Sequence, residues 1–141
     1  MKTKIAIGLF MLFSIVMCIN AQQDYSKIIG TWKLESYKYG DNETKQVPDS
    51  VQKVKLITQT TFTWINYLTK DKIIRSSAGG TYIWKDENYI ENLNFGLGML
   101  GFIGKVQVFT IKVDEKNMHI SGTLSNNLKI EENWKKIETF Q

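Results

Sequence analysis

Apolar and polar side chains alternate with a period of two along most of the chain after residue 29. The alternating runs are rich in β-branched and aromatic residues, and short polar segments separate them, which is typical of antiparallel strands. Residues 24–29 alone suggest a short turn of helix. Eight runs are predicted to be strands: 31–39, 51–58, 61–68, 81–85, 89–95, 106–113, 119–124 and 128–137.

Eight antiparallel strands with this spacing suit either an up-and-down barrel or a sandwich of two sheets. We interpret the pattern as an all-β, eight-stranded antiparallel up-and-down barrel that follows a short N-terminal helical turn. The runs show no internal repeat and no linker, so a single domain is expected. The interior of an eight-stranded barrel can hold one small ligand.

The first residues have the layout of a secretory signal peptide. Lys2 and Lys4 precede residues 5–19, which are apolar at all but one position, and the small residue Ala21 offers a cleavage site. The apolar run is shorter than the roughly 20 residues that a membrane-spanning helix needs, which disfavours a retained anchor. The prediction is a signal peptide over residues 1–21.

Cys18 raises the alternative of a lipid anchor. Met17 precedes it, whereas the cleavage site of a bacterial lipoprotein normally has a small residue there. Cleavage after Ala21 is therefore favoured, and an anchor at Cys18 is the minority alternative and the only expected link to a membrane. Because Cys18 is the only cysteine, the mature domain, 22–141, would lack disulfides and thiol chemistry. Its expected location is the periplasm or the exterior of the cell.

The charge of the chain does not point to a nucleic-acid partner. The 18 basic and 14 acidic residues give a net charge of +4. Removal of Lys2 and Lys4 reduces the difference to 16 minus 14, or +2. The basic residues are scattered along the strands, whereas a nucleic-acid-binding protein would present a clustered basic face. We therefore expect no nucleic acid among the partners.

The alternation assigns a face to each side chain, provided that no bulge shifts the register. On the first strand, Trp32 and Leu34 share one face, while Lys33, Glu35 and Tyr37 share the other. Because charged side chains belong in solvent, Trp32 is predicted to point into the barrel and Tyr37 to point outward.

The same rule places Val54 and Leu56 inside and Lys53 and Lys55 outside. On the later strands it assigns an inward face to the following residues: Phe62, Trp64, Asn66, Tyr82, Trp84, Gln107, Phe109, Ile111, Leu128, Ile130, Trp134 and Lys136.

Two carboxylates also fall on inward faces. Glu91 shares a face with Tyr89 and Leu93, and Glu132 lies between inward residues of the last strand. An unpaired ionised carboxylate is costly to bury, so each requires a partner, water or a ligand. Either could contact a ligand, or each could be paired structurally, for example Glu132 with Tyr82 or with a lysine at the barrel end.

Aromatic walls with a few polar groups are the usual form of a small-molecule site. The alternative is that the aromatic side chains simply fill a small core. The residues predicted to bind a ligand are Trp64, Tyr82, Trp84, Glu91, Phe109, Glu132 and Trp134.

Three short motifs carry a resemblance to a known family. They are "GTWKLES" at 30–36, "GTY" at 80–82 with "YIE" at 89–91, and "ENWKK" at 132–136. Together they resemble the lipocalin-like proteins, a group of mostly uncharacterised secreted bacterial proteins. The resemblance implies that Gly30 and Trp32 plug the closed end of the barrel. It also implies that a basic side chain of the last strand covers the indole as a cation–π contact, and Lys136 replaces the usual arginine there.

The sequence carries no catalytic or metal-binding motif. His119 is the only histidine, which excludes a site with several histidines, and no Gly-x-Ser-x-Gly elbow is present. No catalytic residue, metal site or cofactor is therefore predicted. An enzyme that uses Glu91 or Glu132 as a general acid or base remains a weaker hypothesis, and it requires a strongly raised pKa at one of them.

The glycine-rich segment 96–104 suggests a movable apolar loop at the barrel mouth, where it could cover a ligand. The leading interpretation is an exported lipocalin-like protein that binds a small apolar or amphipathic ligand in the barrel. The alternative is an envelope module with a filled core, in which segment 95–104 contacts a protein or a lipid.

Overall fold

The computed structural model describes residues 24–138. The predicted signal peptide, 1–21, and Cys18 lie outside the described residues. The chain begins with a 3-10 turn at Tyr25–Lys27, whose N-cap Asp24 accepts a hydrogen bond from the backbone N–H of Ser26. The strands are β1 Gly30–Tyr39, β2 Lys45–Gln46, β3 Val51–Ile57, β4 Thr61–Leu68, β5 Ile74–Lys85, β6 Asn88–Leu97, β7 Val106–Val113, β8 Asn117–Thr123 and β9 Lys129–Ile137.

The long strands form a closed antiparallel barrel. From β3 to β9 each strand pairs with the next in the sequence, and β1 pairs with both β3 and β9. The short strand β2 lies beside the second half of β1. The predicted eight-stranded antiparallel barrel with an N-terminal helical turn is therefore confirmed, with β2 as an addition. No helix among residues 24–138 is long and apolar enough to cross a bilayer.

Strand β5 begins at Ile74, whereas the alternation predicts a strand only from residue 81. After Ile74 and Arg75 come the small residues 76–80, which carry no hydrophobic signal. They are small because neighbouring groups approach the backbone closely. A Cβ at Gly79 would collide with the ring of Phe95, and one at Gly80 would collide with the carbonyl oxygen of Asn92. A register shift between Gly79 and Gly80 bends the strand at this point.

A β-bulge corrects the predicted face of Tyr37. The register of β1 against β9 shifts between Leu34 and Ser36, so that Tyr37 lies opposite Glu132. Before the bulge the inward residues are Trp32 and Leu34, as predicted, but after it the odd-numbered residues point inward. One extra residue reverses every later face on the strand, and the alternation alone does not reveal it.

The predicted faces of β3 are also wrong. Lys55 is 3% exposed, whereas Leu56 is 39% exposed. The inward residues are Lys53, Lys55 and Ile57, which lie opposite the inward residues of β4. The rule that charge lies in solvent fails because the barrel interior supplies a carboxylate for each lysine. Val54 is fully buried, but it does not belong to the cluster of hydrophobic side chains that forms the core of the barrel.

Candidate functional site

One end of the barrel is closed around Trp32. The fully buried indole donates a hydrogen bond from Nε1 to the carbonyl oxygen of Ile28 at 2.8 Å. The ammonium of Lys136 lies 5.2 Å from the centroid of the Trp32 ring and 3.4 Å from the carbonyl oxygen of Lys27. Gly30 has a φ of 141°, and a Cβ there would come within 2.6 Å of Cε of Lys136. Glycine therefore opens the motif because the lysine chain crosses directly over it.

Tyr82 and Trp84 also belong to this closed end, although they are predicted ligand-binding residues. The ring of Tyr25 packs against them at centroid distances of 6.2 and 5.8 Å, and its hydroxyl donates to the carbonyl oxygen of Trp84. The Tyr82 hydroxyl donates to the carbonyl oxygen of Thr58, and burial raises the pKa of Tyr82 to about 12. Neither side chain lines the interior cavity, because the N-terminal turn covers both.

The rest of the interior forms a cavity of about 680 Å³ that extends to the loops at the opposite end, the mouth. Its wall is mainly aromatic and aliphatic. Five of the seven predicted ligand-binding residues line it: Trp64, Glu91, Phe109, Glu132 and Trp134. Residues that the sequence did not single out for binding also line it, among them Tyr37, Tyr39, Lys53, Lys55, Val47 and Leu124.

One ion pair in the cavity wall joins Lys53 and Glu132. The ammonium nitrogen lies 2.7 Å from Oε1 of Glu132, and the same oxygen accepts a hydrogen bond from the Tyr39 hydroxyl at 2.6 Å. The second carboxylate oxygen accepts a hydrogen bond from the indole N–H of Trp134 at 3.2 Å. Both oxygens of Glu132 therefore have partners on the protein, and its charge is compensated without a ligand.

These contacts determine the protonation of Glu132. Burial alone would raise its pKa, but the ammonium groups of Lys53 and Lys55 and the hydrogen bonds from Lys53 and Tyr39 outweigh burial. The pKa of Glu132 consequently lies below its usual value of 4.5. Burial and the adjacent Glu132 carboxylate raise the pKa of Tyr39, so its phenol stays protonated. A general acid would need a raised pKa at Glu132, and the direction is the opposite.

The lowered pKa of Glu132 predicts a specific dependence of stability on pH. The unfolded chain takes up this proton near pH 4.5, whereas the folded chain takes it up only at lower pH. The stabilisation from Glu132 is therefore complete above pH 4.5 and is lost as the pH falls through the folded pKa. Urea unfolding from about pH 7 to about pH 3 should show wild type and Glu132→Gln converging in free energy of unfolding. A difference that stays constant over this range would contradict the assignment.

A second ion pair, Lys55 with Glu91, is more deeply buried. The ammonium lies 2.5 Å from Oε1 of Glu91, and the two side chains are 4% and 5% exposed. The rings of Phe62 and Tyr89 lie 5.3 Å from the ammonium, and that of Trp134 lies 5.6 Å from it. Burial raises the pKa of Tyr89, and the neighbouring Glu91 carboxylate adds to the effect. Lys55 is thus surrounded by aromatic faces and one carboxylate.

Lys53 and Lys55 are the charged site residues that sequence reasoning missed. A signal was present, because Lys53 and Lys55 are two positions apart and therefore share one face of a strand. Two inward carboxylates, Glu91 and Glu132, require compensation, and this pair of lysines matches them in number. Of the two alternatives for the carboxylates, the structure shows pairing to lysine.

Lys53 is the charged group of the cavity that is most open to a ligand. Its side chain is 16% exposed, compared with 4% for Lys55. The ammonium lies 4.7 Å from the Trp64 ring centroid, and Asn66 is its cross-strand neighbour. The side-chain oxygen of Asn66 is buried without a hydrogen-bond partner. Lys53, Trp64 and Asn66 therefore form a polar and aromatic patch on a wall that is mainly aromatic and aliphatic.

The glycine-rich segment lies over the mouth. Met99 and Phe102 line the cavity, whereas Leu100 between them is 87% exposed. Backbone hydrogen bonds hold the turn, from the N–H groups of Phe102 and Ile103 to the carbonyl oxygen of Met99. The segment thus presents apolar side chains to the cavity and to solvent at the same time.

The outer wall carries His119. Its Nδ1 lies 2.8 Å from Oδ1 of Asn133, whose amide donates to the Ser36 hydroxyl at 3.0 Å. Inward neighbours Met118 and Ile120 flank His119, which places its side chain outside the barrel. Within residues 24–138, no three His, Cys, Asp or Glu side chains form a group that could hold a metal ion.

The closed barrel matches known structures in fold. A lipocalin-like protein from Bacteroides uniformis ATCC 8492 superposes with a TM-score of 0.58 and 18% identity, over 79% of this chain and 99% of that one. The barrel is lipocalin-like in fold. An uncharacterised protein from Bacteroides eggerthii DSM 20697 gives a TM-score of 0.56 and 16% identity, over 77% and 98% of the chains.

A redesigned β-barrel is also similar, with a TM-score of 0.53 and 18% identity, over 80% of this chain and 94% of that one. No family model and no curated sequence matches this lipocalin-like chain. At these identities the likeness shows the fold alone. It confirms the lipocalin-like resemblance that the three sequence motifs suggested, and any ligand has to be argued from the cavity.

Proposed function

We propose that this chain is an exported lipocalin-like protein that binds a small, partly apolar molecule inside the barrel. The cavity of about 680 Å³ carries the proposal, because its volume lies within the range of small-molecule sites. A barrel with a filled core would have no such space. Export is supported by the signal-peptide layout of residues 1–21.

The lining indicates what shape of ligand fits. Phe109, Met99 and Phe102 would surround an apolar body, and the ammonium of Lys53 would meet a polar end beside Trp64. Because both ion pairs are complete within the protein, the lining is balanced in charge. A molecule with a single polar end and an apolar remainder suits this arrangement.

Filling the cavity should abolish binding without opening the barrel. Ser76 lines the cavity on β5, and Ser76→Trp would place an indole in the space that the ligand needs. We expect the affinity for an anilinonaphthalene sulfonate dye, measured by fluorescence titration, to fall by at least about tenfold. Thr110→Trp adds the same side chain on the exposed face of β7 and should leave the affinity unchanged.

Native mass spectrometry of the protein purified from its own host gives an independent test. We expect a small molecule to be retained by the wild type and absent from Ser76→Trp. Equal dye binding by both variants, together with no retained or added molecule in the wild type, would refute the proposed binding function.

A further inference from the structure

The mouth of the barrel has one apolar side. Its side chains come from the β4–β5 and β6–β7 connections and from the strand ends next to them. The two connections are neighbours because β5 pairs with β6 and Gly98 lies beside Ser76. We call this surface the apolar rim. Its members and their exposed fractions are Ile73 at 54%, Ile74 at 47%, Leu97 at 53%, Leu100 at 87% and Ile103 at 37%.

The same two segments are basic. Residues 69–75 and 97–105 together contain Lys70, Lys72, Arg75 and Lys105 but only one acidic residue, Asp71, which gives a net charge of 4 minus 1, or +3. All five charged side chains are exposed. None of them takes part in the three ion pairs found among the described residues.

On the other side of the mouth, one connection differs both in net charge and in exposed aliphatic side chains. The connection 40–50 carries Asp41, Glu43 and Asp49 against Lys45, a net charge of 1 minus 3, or −2. Its one large aliphatic side chain, Val47, lines the cavity instead of projecting into solvent. The mouth is therefore basic with several exposed aliphatic side chains on one side, whereas the 40–50 connection on the other side is acidic.

A surface with these properties complements an anionic lipid bilayer. Exposed aliphatic side chains enter the boundary between headgroups and acyl chains, while basic residues around them attract anionic headgroups. The hydrogen-bonded turn at Met99 holds Leu100 outward at the tip, where it can enter lipid without a change in the barrel. The acidic side would be repelled by the same headgroups, which determines the orientation of the mouth.

We propose that the apolar rim docks on the surface of an anionic bilayer, with the barrel mouth towards the lipid. Docking depends on the rim alone and does not require a ligand in the cavity. Because Met99 and Phe102 of the same turn line the cavity, a docked rim would connect the cavity directly to the lipid.

Vesicle co-sedimentation tests the proposal. The chain is purified as the expressing cell delivers it, and its N-terminus is established by mass spectrometry, because a retained run 5–19 would itself bind lipid. We expect binding to vesicles of phosphatidylcholine with phosphatidylglycerol and little binding to phosphatidylcholine alone. Leu100→Ser/Ile103→Ser should lower the partition coefficient by at least about tenfold, since two apolar side chains no longer enter the lipid.

The matched control is Ile83→Ser, which removes an aliphatic side chain that is 62% exposed on β5, near the closed end. It should bind vesicles as the wild type does. A charge variant, Lys72→Gln/Arg75→Gln, should bind more weakly and depend less on salt. Circular dichroism should show all these variants folded, because the substituted side chains are exposed.

Any of three results would overturn the proposal. The first two are wild-type binding by Leu100→Ser/Ile103→Ser and equal binding of the wild type to neutral and anionic vesicles. Absence of vesicle binding by the wild type would also overturn it and would leave a protein partner as the occupant of the rim. None of these measurements uses the cavity, so their failure would not affect the proposed ligand binding.

Discussion

Lys55→Met should lower the free energy of unfolding by about 3–5 kcal/mol, the usual effect of breaking a buried ion pair from one side. Lys55 is 3% exposed, and its ammonium lies 2.5 Å from Oε1 of the equally buried Glu91. Methionine retains most of the apolar stem, so packing changes little. The loss arises because the Glu91 carboxylate is left buried without its cation. Urea unfolding at neutral pH would measure it.

Removing both charges should restore most of that stability. Lys55→Met/Glu91→Leu leaves no uncompensated charge, and buried ion pairs replaced by apolar side chains are often neutral in stability or more stable. Lys85→Met, a change of the same kind at an exposed position of β5, should alter the free energy of unfolding by less than about 0.5 kcal/mol. A double variant as unstable as Lys55→Met alone would show that the loss came from packing instead of charge.

Trp32→Ala should be nearly as damaging, with a loss of about 3–5 kcal/mol, because a fully buried indole leaves a large cavity. Trp32 is 0% exposed and its N–H group is bonded to the carbonyl oxygen of Ile28. The substitution therefore removes the packing that closes this end of the barrel and the tie to the N-terminal turn. Thermal and urea unfolding would both report the change.

Two further variants separate the contributions at the plug. Trp32→Phe keeps an aromatic ring but loses the hydrogen bond, and it should cost less than Trp32→Ala. Lys136→Met keeps the stem that lies over Gly30 but removes the charge, and it should cost about 0.5–1 kcal/mol, the size of a partly exposed cation–π contact. A larger loss in Lys136→Met than in Trp32→Ala would mean that the lysine charge, and not the indole, holds the closed end.

Much of the barrel could be predicted because period-two alternation reports which face of a strand is buried. The inward faces of β4, β6, β7 and β9 are as predicted, including those that carry Glu91 and Glu132. Five of the seven residues predicted to bind a ligand line the cavity together. Tyr82 and Trp84 point inward as predicted, but alternation does not indicate at which height in the barrel a residue lies.

The wrongly assigned faces have one origin, because they depend on partners that are distant in sequence. The bulge that turns Tyr37 inward exists in the pairing of β1 with β9, about 100 residues away. The inward orientation of Lys53 and Lys55 is acceptable only because β9 and β6 bring carboxylates against them. Local alternation of apolar and polar residues does not indicate such partners. It therefore predicts that both lysines lie in solvent.

The sequence by itself determined the class of fold, the closed end with Gly30 and Trp32, and the inward position of the two carboxylates. These follow from alternation and from a short motif, which are local properties of the chain. The tertiary structure decided that the interior is a cavity lined by two complete ion pairs and that the mouth has one basic, apolar side. Those properties arise from distances between strands, and the sequence order does not contain them because barrel closure brings together side chains that are far apart in the chain.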